Sequence, residues 1–138
     1  MYRKILVALD ATDADRGLLK HAAGLAKSFG GSLFLLHVAD GWAARWFGED
    51  AVSPEVTRDK EYLEKVRAEL AAEGVRAEAE LAFGEPADHI IREIEEHGCD
   101  LLAMTTHGHK FLANAVLGVT VDKVRRTVRV PVLLLRAE

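Results

Sequence analysis

The sequence predicts an α/β fold, a single domain over residues 1–138 with a doubly wound parallel sheet and helices on both faces. Three observations predict it. Short continuous apolar runs recur along the chain, as strands covered on both faces require. Stretches with apolar residues at helical spacing separate them. The two kinds alternate as β-α-β-α-β-α-β-α-β, and regular alternation means parallel strands joined by right-handed crossovers.

The first run, Ile5 to Leu9, is followed by Ala11-Thr12-Asp13, which can cap a helix. Leu18, Ala22, Leu25 and Phe29 then recur at helical spacing, backed by Leu19, Ala23 and Ala26, until Gly30-Gly31. Leu33 to Val38 is the second strand. Asp40 to Ser53 is a connection rich in aromatic residues and glycine. Ser53-Pro54 reads as N-cap and first helical position, Val56, Leu63, Val66 and Leu70 form the buried face, and Gly74 ends the helix. Val75 to Phe83 alternates apolar with charged residues, the pattern of a half-exposed edge strand. Gly84-Glu85-Pro86 turns into a helix carrying Ile90, Ile91 and Ile94, closed by Gly98. Leu101 to Met104 is the fourth strand, and Thr105 to Leu117 an unusual stretch. Gly118-Val119-Thr120 opens the last helix, with Val121, Val124 and Val128 on one face, and Pro131 to Leu135 is the fifth strand.

With 138 residues, 49% hydrophobic and 29% charged, the chain suits one globular core without repeat or linker. A net charge of −4 argues against nucleic acid or an anionic membrane as partner. The opening apolar run breaks at Asp10, too short for a signal peptide or a membrane span. With one cysteine, Cys99, no internal disulfide forms, so a cytoplasmic location is expected.

Open α/β sheets bind ligands at the carboxyl ends of their strands, where the strand order reverses. Asp10-Ala11-Thr12-Asp13 follows strand one, and Ala39-Asp40 follows strand two. Thr105-Thr106-His107-Gly108-His109-Lys110 follows strand four and is the most polar of these ends. It leads into a predicted helix N-terminus, whose free amides and dipole favour an anion. Gly118 leaves room for a phosphate, Gly108 permits a tight turn, and His109 and Lys110 add positive charge. Neither a Walker P-loop nor a dinucleotide glycine fingerprint is present.

KILVALDATDAD, LFLLHVAD, GEPADHII and MTTHGHKFLANAVLGVTVDKVRRTVRVPVLLLR together resemble the universal stress protein family, in order and spacing. The resemblance is weakest between Gly41 and Arg76. It implies a Rossmann-like five-stranded sheet in the order 3-2-1-4-5 and a homodimer paired through Val132-Leu135. Nucleotide-binding members carry the motif G, two residues, G, nine residues, G, then Ser or Thr. Gly108 and Gly118 match its second and third glycines, whereas Thr105 and Val119 stand at its first and last positions, with Thr120 one place late. The implied nucleotide site comprises Ala8, Asp10, Val38, Met104, Thr105, His107, Gly108, His109, Lys110, Gly118, Val119 and Thr120, and the implied ligand is ATP, with or without Mg2+.

Structural readings stand beside these. Asp10 suits a contact to the base or a cation, or a cap on the next helix. His107 and His109 are too few for a closed metal site, and His107 suits loop ordering. His37 reads as a satisfied core histidine, while His21, His89 and His97 fall on predicted helices and need no function. Lys123, Arg125, Arg126 and Arg129 complement a helix C-terminus. Trp42, Trp46 and Phe47 suit a lid, a partner contact or simple packing. Cys99 reads as a buried filler. No catalytic constellation is present, so the expectation is a non-enzymatic regulatory protein of the stress response that binds ATP or a related adenine nucleotide. The alternatives are a dimer acting through protein contacts without nucleotide, and a slow nucleotide hydrolase.

Overall fold

The computed structural model describes residues 1–39, 54–106 and 114–136. Within them the chain forms β1 (Lys4–Leu9), α1 (Asp15–Phe29), β2 (Ser32–Ala39), α2 (Pro54–Ala72), β3 (Ala77–Phe83), α3 (Pro86–His97), β4 (Leu101–Thr105), α4 (Asn114–Thr127) and β5 (Val132–Leu135). The five strands make one sheet in the order β3-β2-β1-β4-β5, as the family resemblance implied. Every neighbouring pair is parallel.

Strand alternation divides the core in two. Ile5, Val7, Leu33, Leu35 and Ala103 face Leu18 and Ala22 of α1 and Leu63 and Leu70 of α2. Leu6, Phe34, Leu36 and Leu102 face Ile90 and Ile94 of α3 and Val124 of α4. Because β1, β2 and β4 are covered on both faces, their sequences are continuous apolar runs. Each fully buried leucine contributes about 1.5–3 kcal/mol relative to exposure.

Several boundaries differ from the sequence reading. β1 begins one residue earlier, at Lys4, where the Lys4 and Arg3 amides donate to the Asp100 carboxylate. β3 begins at Ala77 rather than Val75, whose amide instead donates to Leu70 O and closes the end of α2. β4 continues through Thr105, which pairs with Leu135 of β5. α4 is already helical at Asn114, so Gly118 and Val119 lie inside it and not at its entrance. One glycine costs a helix only about 1 kcal/mol, and that is too little to break one held by Val124 in the core.

The edge strand β3 is not bare on its second face. Glu80 meets α3, where the buried Glu93 carboxylate lies 2.8 Å from His97 Nε2 and 3.7 Å from Arg92. The His97 contact has ion-pair distance without hydrogen-bond alignment, for Glu93 Oε2 accepts no hydrogen bond. His97 stacks on Phe34 with ring centroids 4.2 Å apart. Burial first, then the Glu93 charge and a hydrogen bond to it, hold the Glu80 carboxyl above the ordinary glutamate range.

Candidate functional site

The strand order reverses between β1 and β4, the point at which open α/β sheets hold ligands beyond the carboxyl ends of their strands. Ala8, Val38 and Met104 lie on the same face of the sheet, against the core formed with α3 and α4. This brings together three of the residues named for the site on one apolar face of the sheet. Thr105, one residue past Met104, takes the opposite parity and is only 7% exposed. Asp10 follows β1 directly and is half-buried. Thr120 is half-buried on α4. His107, Gly108, His109 and Lys110 lie outside the described residues, as do Trp42, Trp46 and Phe47.

The turn after β1 is built differently from the sequence reading. Thr12 and Asp13 do not cap α1, whose N-cap position is Ala14, with no side-chain cap. Thr12 Oγ1 instead accepts from the Ala14 amide at 3.2 Å, and Asp13 pairs with Arg16 at 3.5 Å. The organising residue is Asp15, which is 1% exposed. Its carboxylate reaches back and accepts from the amides of Asp10 (2.8 Å), Ala11 (2.8 Å) and Thr12 (3.4 Å). Ala11 sits at φ 63°, which swings these successive amides toward one point. Tyr62 of α2 completes the arrangement by donating its hydroxyl to Asp15 Oδ2 at 2.7 Å. Burial, followed by the Asp15 charge and hydrogen bond and then the charges of Asp10 and Asp13, pushes the Tyr62 phenol far above its ordinary value, so it stays a donor.

His37 on β2 is a satisfied core histidine. Its Nδ1 lies 2.8 Å from Leu9 O and its Nε2 3.3 Å from Asp59 Oδ2 of α2. Asp15, Asp59 and Tyr62 carry no local signal of these roles. The Tyr62–Asp15 contact joins residues 47 apart, which no motif window spans.

Several other titratable groups are engaged in structural contacts. His89 Nε2 donates to Phe83 O at 2.7 Å, and its Nδ1 accepts from Arg92. Lys123 bonds Asp88 at 2.7 Å and tethers α4 to the start of α3, while Arg125 and Arg126 both pair with Asp122. These pairings leave the α4 cations largely neutralised in place. Burial pushes the Cys99 thiol up to about 11, away from reactivity. Among the described residues no three His, Cys, Asp or Glu side chains converge as a metal site, and no helix is long and apolar enough to cross a membrane.

A family model described as the universal stress protein family matches residues 1–136. A universal stress protein of Thermus aquaticus is 33% identical, with 99% of this chain and 100% of the relative covered. Universal stress protein YxiE of Bacillus subtilis is 31% identical, with 99% of this chain and 100% of the relative covered. The structure of MJ0577, a Methanocaldococcus jannaschii protein, superimposes with a TM-score of 0.84 at 26% identity, covering 100% of this chain and 98% of that one. A universal stress protein in complex with cAMP shares the fold at a TM-score of 0.76 and 20% identity, with coverage of 99% and 98%. So does the Archaeoglobus fulgidus universal stress protein in complex with dAMP, at 0.72 and 22%, with coverage of 98% for each chain.

Proposed function

The chain belongs to the universal stress protein family, and on that premise we propose that it binds an adenine nucleotide in the crevice at the carboxyl ends of β1, β2 and β4. The observation that carries the reading is the convergence of Ala8, Val38 and Met104 on one face of the sheet, beside Asp10 at the point of strand reversal. An apolar wall with a carboxylate at its rim suits a purine, which stacks by its faces and donates through its exocyclic amine. Relatives in complex with cAMP and dAMP support the same ligand class. ATP, with or without Mg2+, is the ligand assigned here, and the role is regulatory and non-enzymatic, in the cytoplasm.

The active form is a homodimer joined through β5. Val132–Leu135 is the second edge of the sheet, and Leu134 is 38% exposed on it. An apolar edge invites a further strand. Light scattering should give a dimer for the wild type and a monomer for Leu134→Lys; a monomeric wild type at micromolar concentration rules the pairing out.

The nucleotide reading is tested by mass spectrometry of ligand released from purified protein and by calorimetric titration with AMP, cAMP and Mg-ATP. Binding should occur in the wild type and weaken at least about tenfold in Asp10→Ala, the loss of a charged hydrogen bond. A wild type that neither copurifies with nor binds any of the three refutes it. The second reading, a dimer acting through protein contacts without nucleotide, is favoured by two observations. Thr105 is a buried strand residue where the motif begins, and Val119 lies within α4 where a hydroxyl would be needed.

A further inference from the structure

We infer that Tyr62 and Asp59 of α2 are positioning residues for Asp10, acting through Asp15 and His37 on the two ends of a single peptide plane. The inference rests on the nucleotide reading given above. The Leu9 carbonyl and the Asp10 amide belong to one rigid peptide unit, the last of β1. Its N–H donates to Asp15, and Asp15 accepts from the Tyr62 hydroxyl. Its C=O can only accept, so His37 Nδ1 carries the hydrogen and donates to it, while Nε2 faces Asp59. Both relays start from one helix, three residues apart, and therefore on one face of it.

A planar unit held at both ends cannot rotate about its flanking φ and ψ angles. That plane fixes the Cα of Asp10, and the next peptide, whose Ala11 amide also donates to Asp15 at 2.8 Å, fixes φ of Asp10 and with it the direction of the Cα–Cβ bond. An ordinary strand end has no such restraint, because its last peptide pairs on one side at most. The intermediaries are also nearly dry: Asp15 is 1% exposed and His37 7%. Water therefore does not readily replace either relay.

Asp15 would be a routine first-turn acid if its bonds went to the amides of its own helix. They go instead to the turn before it, which carries Asp10. His37 would be simple core filling if its nitrogens met side chains only, yet Nδ1 is spent on a backbone carbonyl of the neighbouring strand. The contact of Nε2 with Asp59 needs one proton between the two groups, and an asparagine amide at position 59 supplies that hydrogen itself.

The test is calorimetric titration with AMP, cAMP and Mg-ATP, alongside melting temperatures and the amide proton resonance of Asp10. Tyr62→Phe removes one hydroxyl and Asp59→Ala breaks the other relay. Each should weaken binding at least about fivefold, the low end of a typical coupling between sites. Asp59→Asn should recover most of the affinity lost in Asp59→Ala. In an Asp10→Ala background, Tyr62→Phe should have no further effect, because nothing remains to be positioned. In the ligand-free protein, Tyr62→Phe should shift the Asp10 amide proton. A folded Tyr62→Phe variant with wild-type affinity overturns the inference, as does a full-sized effect in the Asp10→Ala background. If the wild type binds none of the three nucleotides, the nucleotide reading fails. The Asp10 amide then decides the positioning alone, a shift supporting it and no shift overturning it.

Discussion

Replacing His97 by phenylalanine separates two things that this side chain does. The phenylalanine ring retains the stack on Phe34, whose centroid lies 4.2 Å away. It loses the nitrogen 2.8 Å from Glu93, a carboxylate with a side-chain exposure of only 5%. Breaking a buried ion pair by removing one partner costs about 3–5 kcal/mol, because the surviving charge is stranded. Here a cost below that range applies, about 2–3 kcal/mol, for two reasons. Arg92 already stands 3.7 Å from Glu93 and, being half exposed, can move closer. The contact that is lost also lacks hydrogen-bond alignment from the start, so less is removed with it. For a domain of this length that corresponds to a fall in Tm of roughly 6–12 °C, at about 3–4 °C per kcal/mol. Urea unfolding followed by circular dichroism measures it directly. The double variant Glu93→Gln/His97→Phe should be more stable than His97→Phe alone, since no charge is then stranded. A His97→Phe variant within about 0.5 kcal/mol of wild type, the scatter of ordinary surface substitutions, would refute the stranded-charge argument.

Glu80→Gln should raise stability above neutral pH and lose that advantage in acid. The folded state holds the Glu80 proton more tightly than the unfolded chain, so the stabilising protonation is complete below the ordinary glutamate value and disappears as pH rises through the folded one. Urea midpoints for both proteins across pH 3 to 8, roughly the span on either side of a raised glutamate, should converge at the acid end; a constant gap would show that charge is not the cause. Gly31→Ala should destabilise strongly, because its Cβ would lie 2.4 Å from Tyr2 O, a backbone atom that cannot swing aside. Gly24→Ala, in open space within α1, should instead gain up to about 1 kcal/mol of helix propensity. Thermal melts of the two variants should move in opposite directions.

Most of the fold was legible because burial on both faces writes itself into sequence as unbroken apolar runs. β1, β2 and β4 were read that way, and the alternation along β3 marked it as an edge. The start of α4 was misread because Gly118 looks like punctuation, while the contacts that carry the helix through it lie in the core. Thr105 was assigned to a loop because its type is polar; its place in β4 is set by Leu135, thirty residues on. In the site, Ala8, Asp10, Val38 and Met104 were named through strand ends and family resemblance, and the fold gathers them. Asp15 was overlooked because an acid in a first helical turn is commonplace. Asp59 and Tyr62 were overlooked because a polar residue on an amphipathic helix reads as solvent-facing until its partner across the fold is known.

The strand order 3-2-1-4-5 also has a consequence for synthesis on the ribosome. The strand of this sheet made first, β1, is a central one, and its second neighbour β4 begins at Leu101. At about 5–20 residues per second, roughly 5–20 s pass between the two. During that time β2 can pair with one side of β1, but the Ile5–Leu9 run keeps an open edge and an uncovered apolar face on the other. The nascent chain is therefore exposed to strand-to-strand association for most of its elongation. That exposure ends only when β4 emerges and pairs with the second side of β1.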